Sequence, residues 1–250
     1  LRLLFSGALL MIYACWKYLD QVKAMLHDKK VIIMLIIFAF LGMGSSQLSY
    51  FVAVKYSNAP TATVIQFLAP VFIIIYSSLR SKMWPRRIDA ISIVVAVVGT
   101  FILATGGRFD QLALSPLACF WGLIAAFSEA INTVLPGKLF KKYGPIPVIG
   151  AAMLVAGIAF LPIYFTQPMP KLAPVDVWVI VYIIIGGTLL AYTMYLSSVQ
   201  YIEPSTVGML GALEPLIATI LSVSLLHADF GPMDMLGGFL IIVATFMQLM

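Results

Sequence analysis

Two carboxylates lie deep inside apolar runs of this sequence. Glu129 sits in FWGLIAAFSEAINTVLP and Glu214 in LGALEPLIA. An ionisable side chain in such a run is expensive to keep, so it is a functional candidate by default. Either carboxyl could carry a proton, or pair with the ammonium of a substrate. Each also has a structural alternative. Glu129 could be a neutral acid bonded to a neighbouring helix, and Glu214 could belong to a kink made by the adjacent Pro215. At helical spacing Trp121, Ala125, Ser128, Glu129 and Asn132 form one stripe, which adds an amide to the Glu129 surface.

Polar and aromatic side chains recur in other apolar runs. Gln47 and Tyr50 share a helical face, as do Tyr192 and Tyr195, and Gln66 stands one turn before Pro70. Tyrosine rings can stack on a substrate or make cation–π contacts, although ordinary packing is the competing reading for each one alone. Pro70 and Pro215 are expected to kink their helices and free a backbone carbonyl. Small residues at Gly42, Gly44, Ser45, Ser46, Gly186, Gly187, Gly208, Gly211, Gly237 and Gly238 mark close helix contacts. Nothing indicates a metal or cofactor. Cys15 and Cys119 are isolated thiols inside apolar runs, and His27 and His227 stand alone. The only Gly-Lys, at 137–138, lacks the phosphate-loop spacing, and no HExxH occurs.

The elements that hold these residues must be membrane-spanning helices. The chain is 62% apolar and 10% charged, against about 25% charged in soluble domains. Apolar runs of the roughly 20 residues a spanning helix needs recur along its length. They predict nine helices, at 1–19, 31–54, 61–79, 88–106, 113–135, 145–166, 175–199, 204–226 and 232–250, separated by short Lys, Arg, Pro, Gly and Asn loops. The chain opens on Leu1 inside an apolar run, and a helix before it is expected. The net charge of +5 is read as a topology signal, not as a sign of nucleic acid. Assigning loops to alternate sides puts eleven of the 15 basic residues on one side, at Lys17 to Lys30, Arg80 to Arg87 and Lys138 to Lys142. Arg2, Lys55, Arg108 and Lys171 fall on the other. The positive-inside rule makes the first side cytoplasmic, and the C-terminus with it.

An internal repeat organises the runs. A gapless shift of 145 residues aligns 50–101 with 195–246 at identities that include Tyr50/Tyr195, Thr61/Thr206, Leu68/Leu213, Pro70/Pro215 and Asp89/Asp234. The shift also pairs 1–19 with 145–166 and 31–54 with 175–199, and it leaves 113–135 without a partner. It therefore predicts five helices per repeat, inserted in opposite orientations, with repeats at 1–106 and 107–250. Inverted repeats are characteristic of secondary transporters, where pseudo-symmetry supplies two packings open to opposite sides.

At YFVAVKYSNAPTATVIQFLAPVF (50–72), YLSSVQYIEPSTVGMLGALEPLIATIL (195–221), IVVAVVGTFILA (93–104) and LGGFLIIVATF (236–246), the chain resembles the drug/metabolite transporter superfamily, specifically the EamA-type permeases. The resemblance covers essentially the whole chain. It implies an all-α bundle of ten helices in two inverted five-helix repeats, a central cavity, cytoplasmic termini, and transport of amino acids, other metabolites or drugs, often as export. Glu214 matches a common family residue, and Arg2 matches an arginine common near the outer end of the second helix. The chain departs from the family where a Glu often follows the helix proline by about thirteen residues: Met83 and Ala228 stand there, with Asp229 beside the latter.

The expected function is thus secondary transport of a small metabolite across the cell membrane by alternating access, with protons as the candidate coupling ion and lipid as the solvent. Glu129, Asn132, Glu214, Gln47, Tyr50, Gln66, Tyr192 and Tyr195 are the expected lining. A non-transporting receptor or scaffold remains as the alternative, although it has no need for an inverted repeat. A lipid-directed membrane enzyme would need a clustered His/Asp/Ser set that the sequence lacks.

Overall fold

The computed structural model describes residues 1–112, 114–166, 174–211, 213–226 and 231–249, and among them the chain is helical with no strand. Lys171, His227, Ala228, Asp229 and Met250 lie outside the described residues. Six helices are long and apolar enough to cross a membrane: Lys29–Tyr56, Ala59–Ser81, Arg87–Thr105, Pro116–Tyr143, Val175–Ser198 and Pro204–Leu221. A seventh span is possible if Arg2–Lys17 and Leu19–His27, which meet at 109°, count as one. Pro145–Ala159 and Pro232–Met247 are apolar but shorter.

The nine expected runs are thus all helical, but several are not single straight rods. The first ends at Lys17, because Tyr18 leaves helical geometry at φ −129 and ψ 35. A separate helix, Leu19–His27, then occupies a stretch expected to be loop. The 145–166 run is divided at Phe160 into Pro145–Ala159 and Leu161–Phe165. Pro162 accounts for that division, since a proline ring clashes with the carbonyl four residues earlier.

Two further distortions fall inside spans, each in two places. The segments Phe38–Gly44 and Ile185–Leu190 are π-helical. Both contain poor helix formers, Gly42 and Gly44 in one, Gly186 and Gly187 in the other. In the second, the Thr188 hydroxyl donates to the Ile183 carbonyl five residues back, at 2.8 Å. Shifted by 145 residues, the first segment overlaps the second. Likewise helix Ala59–Gln66 stops and Ala69–Ser81 starts afresh, while Pro204–Leu210 stops and Leu213–Leu226 starts afresh. The prolines Pro70 and Pro215 follow the breaks, one and two residues into the restarted helices.

The described helices form two compact units. One comprises Leu1–Gly44 and Asn132–Ile202, the other Ser45–Ile131 and Glu203–Met250. Each draws chain from both of the expected repeats. Within the first, Arg2–Lys17 and Pro145–Ala159 pack along each other. A Cβ on Gly157 would stand 2.5 Å from the Leu4 backbone, one on Gly7 2.5 Å from the Leu154 nitrogen, and one on Gly150 3.2 Å from the Met11 nitrogen. Numbers rise on one helix as they fall on the other, so the pair is antiparallel. Within the second unit Arg87–Thr105 and Pro232–Leu249 do the same. A Cβ on Gly99 would stand 3.0 Å from the Gly237 carbonyl, and one on Gly237 2.8 Å from the Leu103 nitrogen. Glycine at these points lets helix backbones touch, which in lipid is a main source of association energy.

Outside the spans, Asp28 caps helix Lys29–Ile37. Its carboxylate accepts from the backbone of Lys30 at 3.0 Å and of Val31 at 3.4 Å, and pairs with Lys142 at 3.4 Å. Partial desolvation disfavours its charge, but the bonds from Lys142, Val31 and Lys30 outweigh it and hold the carboxyl below its ordinary range.

Two outcomes follow. Gly157→Ala and Gly7→Ala push a methyl into backbone, so each should lower thermal stability in detergent by about 1–3 kcal/mol. Gly137→Ala, with nothing within 4 Å of the new methyl, should leave the melting temperature nearly unchanged. A folded-state pKa below the unfolded one means that the Asp28 contribution is present at neutral pH and lost as pH falls through the folded value. The stability gap between the native chain and Asp28→Asn should therefore be open at pH 7 and close on acidification below the usual carboxylate range.

Candidate functional site

Glu129 lies in helix Pro116–Val134 and is half-buried. The chain that meets it is Ser45–Tyr56, which starts where the first π segment ends. The fully buried Ser46 donates its hydroxyl to Glu129 Oε2 at 2.6 Å, a length typical of a hydroxyl on a carboxylate. Gln66 Nε2 in turn donates to Ser46 Oγ at 3.5 Å. The result is a directed chain, amide to hydroxyl to carboxylate, tying three helices together. Beside it the Ser128 hydroxyl donates to Ser45 Oγ at 2.9 Å. One turn further along Ser45–Tyr56, the Tyr50 and Thr63 hydroxyls bond at 3.1 Å.

Both donors come from places where the backbone is irregular. Gln66 is the last residue of Ala59–Gln66, next to the break at Phe67–Leu68. Ser45 and Ser46 immediately follow the π segment Phe38–Gly44. Helix Ala59–Gln66 reaches the Glu129 helix closely enough that a Cβ on Gly122 would be 2.7 Å from Ile65 Cγ2. Gly122 therefore sets how near Gln66 can come.

The structure thus brings together Glu129 and Gln66, through Ser46, with Tyr50 nearby on the helix that carries Ser46. Gln47 sits beside Ser46 and is half-buried. Glu214 belongs to the same unit but is exposed, in the first turn of Leu213–Leu226. Burial was the sequence expectation for Glu214. Its place in the first turn of the restarted helix puts the carboxylate at the positive end of the helix dipole. Pro70 is buried and Pro215 half-buried, one and two residues into the restarted helices.

Asn132, Tyr192 and Tyr195 fall in the other unit. Asn132 is fully buried, and its backbone passes Gly42, where a Cβ would be 3.1 Å from the Asn132 Cα. Tyr195 shares a hydrogen bond of 3.3 Å with Thr133. Tyr192 and Tyr195 both pack on the apolar cluster of that unit, which includes Phe38, Met43 and Met153. Tyr192 and Tyr195 follow the π segment Ile185–Leu190, just as Gln47 and Tyr50 follow Phe38–Gly44.

Sequence reasoning missed the central role of Ser46, and with it Ser45, Thr63 and Thr133 as partners. Ser45-Ser46 was legible only as part of a small-residue stretch. Its use as a donor depends on which way the widened turn rotates it. Among the described residues no group of His, Cys, Asp or Glu could hold a metal ion.

Three comparisons bear on this architecture. The model of the EamA-like transporter family matches residues 1–105 and again 116–250. An uncharacterized inner membrane transporter, YicL of Salmonella typhimurium, is 33% identical over 243 residues, spanning 97% of this chain and 81% of that protein. Protein PecM of Dickeya dadantii is 25% identical over 68% of this chain and 58% of its own length. A protein of known crystal structure superposes with a TM-score of 0.81 at 16% identity, over 98% of this chain and 84% of that one. That likeness speaks for the fold.

Removing the Ser46 hydroxyl leaves Glu129 without one donor and Gln66 without its acceptor. Ser46→Ala should lower thermal stability by about 1–3 kcal/mol, more than Ser81→Ala, whose hydroxyl only bonds its own helix backbone. Equal melting temperatures for the two variants would show that the bond contributes nothing.

Proposed function

This chain belongs to the EamA-like transporter family, and from that premise we propose that it is a secondary transporter that exports a small metabolite with an amino group. Protons are the proposed coupling ion and Glu129 the group that carries the charge. The observation that supports this most is the placement of Glu129. Its carboxylate is the end point of a donor chain whose members sit on a π segment and a helix break. Membrane helices leave regular geometry where backbone and side chains serve a site, because an unsatisfied amide in hydrocarbon costs several kcal/mol. A second support is that both distortions recur 145 residues on. Paired irregularities are what an inverted repeat with two exchangeable states requires.

In this reading the repeats are 1–106 and 107–250, and they alternate between packings open to opposite sides. Glu129 takes a proton in one state and the substrate ammonium in the other. Gln66, Ser46, Tyr50 and Gln47 orient it, and Asn132 extends the polar surface by one turn. Tyr192 and Tyr195 would supply the equivalent surface from the second repeat, and Glu214 a carboxylate at a helix start. The basic loops support a C-terminus in the cytoplasm of a cell-membrane protein.

The test is counterflow in proteoliposomes, loaded in turn with amino acids, polyamines and cationic amines across imposed pH gradients. One amino-bearing class should be taken up against an inside-acid gradient, and Glu129→Gln should reduce that flux at least tenfold with the fold intact. Glu214→Gln should have the smaller effect. Undiminished flux in both variants would sink the roles given to the carboxylates. Saturable binding with no counterflow of any class would favour a receptor.

A further inference from the structure

We infer that the helix Leu19–His27 and the short helix Gly137–Tyr143 together form a binding surface for anionic phospholipid headgroups. The inference is independent of what the protein transports.

Geometry comes first. Leu19–His27 leaves the apolar helix Arg2–Lys17 at 109°. A short helix that turns this sharply from the apolar helix before it is suited to lie along the membrane surface. Its residues sort accordingly. Val22 and Met25 are buried, and Met25 shares an apolar cluster with Leu139, Phe140 and Tyr143. Gln21 lies against Gly144, where a Cβ would meet its Oε1 at 3.1 Å. One face is thus docked on Gly137–Tyr143. The adjoining edge carries Leu19 and Leu26, 45% and 54% exposed. Lys23 projects beside that edge. An exposed apolar edge bordered by lysine is the pattern of a helix that lies in the interface, apolar side toward the acyl chains.

Charge then chooses the lipid. Lys17, Lys23, Lys138 and Lys141 are all exposed on these two helices and the junction with the span. The nearby acids are few. Asp28 is already engaged by Lys142 and by two backbone amides, which leaves Asp20 as the remaining carboxylate of the helix. Lys17 is steadied over the rings of Tyr13 and Tyr18, at 5.9 and 5.8 Å from their centroids. Several lysines on an amphipathic helix beside an apolar helix match the negative surface of phosphatidylglycerol or cardiolipin. A soluble phosphate would meet the same lysines, but it has no use for the Leu19–Leu26 edge.

The experiment uses the whole chain in nanodiscs of phosphatidylcholine, with and without about a third phosphatidylglycerol. Spin-labelled lipids report the motionally restricted fraction for each headgroup. The native chain should retain labelled phosphatidylglycerol at least threefold over labelled phosphatidylcholine. The triple variant K23Q/K138Q/K141Q should fall to about equal retention. Its melting temperature in pure phosphatidylcholine should match the native chain, which separates lost binding from lost folding. Selectivity unchanged in the triple variant, or absent in the native chain, overturns the proposal. So does an equal loss in R80Q/R87Q, which would mark diffuse charge attraction. If millimolar glycerol phosphate abolishes the selectivity, the site takes soluble anions and the proposal fails.

Discussion

No water reaches a backbone amide or carbonyl in the hydrocarbon of a bilayer, so a spanning chain must satisfy every such group within itself. That constraint makes this chain helical throughout its described residues, and it makes each departure from the helix informative. A soluble protein can leave a helix to form a loop wherever the loop is wet. Here the interruptions inside spans include widened π turns at Phe38–Gly44 and Ile185–Leu190, abrupt stop-and-restart breaks before Pro70 and Pro215, and a break between Pro116–Val134 and Gly137–Tyr143. The polar side chains gather at these points. Gln66 ends a half-helix, Ser46 follows a π turn, and their bonds converge on Glu129. Backbone irregularity and buried polarity are expensive separately. Placing them together lets one offset part of the other, because a displaced backbone opens room for the side chains that must hydrogen-bond.

The sequence made the spans legible and their interior detail only in part. Apolar length and basic loops are additive signals, summed over twenty residues, so they survive local errors. The breaks were half legible, because Pro70 and Pro215 announce a lost amide, but proline alone does not say whether a helix bends or stops. The π turns left a weaker trace in Gly42, Gly44, Gly186 and Gly187, since glycine permits a widened turn without requiring one. Ser46 was the hardest to see. Its bond to Glu129 joins residues 83 apart in sequence, and whether a serine on one helix meets a glutamate on another depends on rotation about both axes. The π turn sets that rotation, and no local pattern encodes it. Leu19–His27 was overlooked for the opposite reason: nine residues with mixed polarity look like a loop until the neighbouring helix offers Leu139 and Phe140 as a place to dock.

The small residues show how far packing alone can explain a repeat. In lipid, helices gain little from apolar burial, and close backbone contact replaces it. Leu4 meets Gly157, Gly7 meets Leu154 and Met11 meets Gly150. Along this crossing each residue faces the one whose number completes the same sum. Shifting by 145 residues exchanges the two helices and returns the same set of positions, so Leu4 and Gly157 map onto Ile149 and Ile12. The crossing is therefore its own image under the repeat. Gly99 and Gly237 anchor a second antiparallel pair, between Arg87–Thr105 and Pro232–Leu249.

A contact that maps onto itself has a consequence for how such a pair can move. Each helix presents to its partner the surface that its partner presents to it, so displacing the pair in one sense is met by the same surfaces as displacing it in the other. Sequence identity between the repeats is too low for the two displacements to be equal in energy: Gly7 maps to Ala152 and Gly157 to Ile12. Glu129 is placed where a change of one charge would alter three helices at once. The polar chain crosses between the two matched segments, since Gln66 and Ser46 come from 1–105 and Glu129 from 116–250.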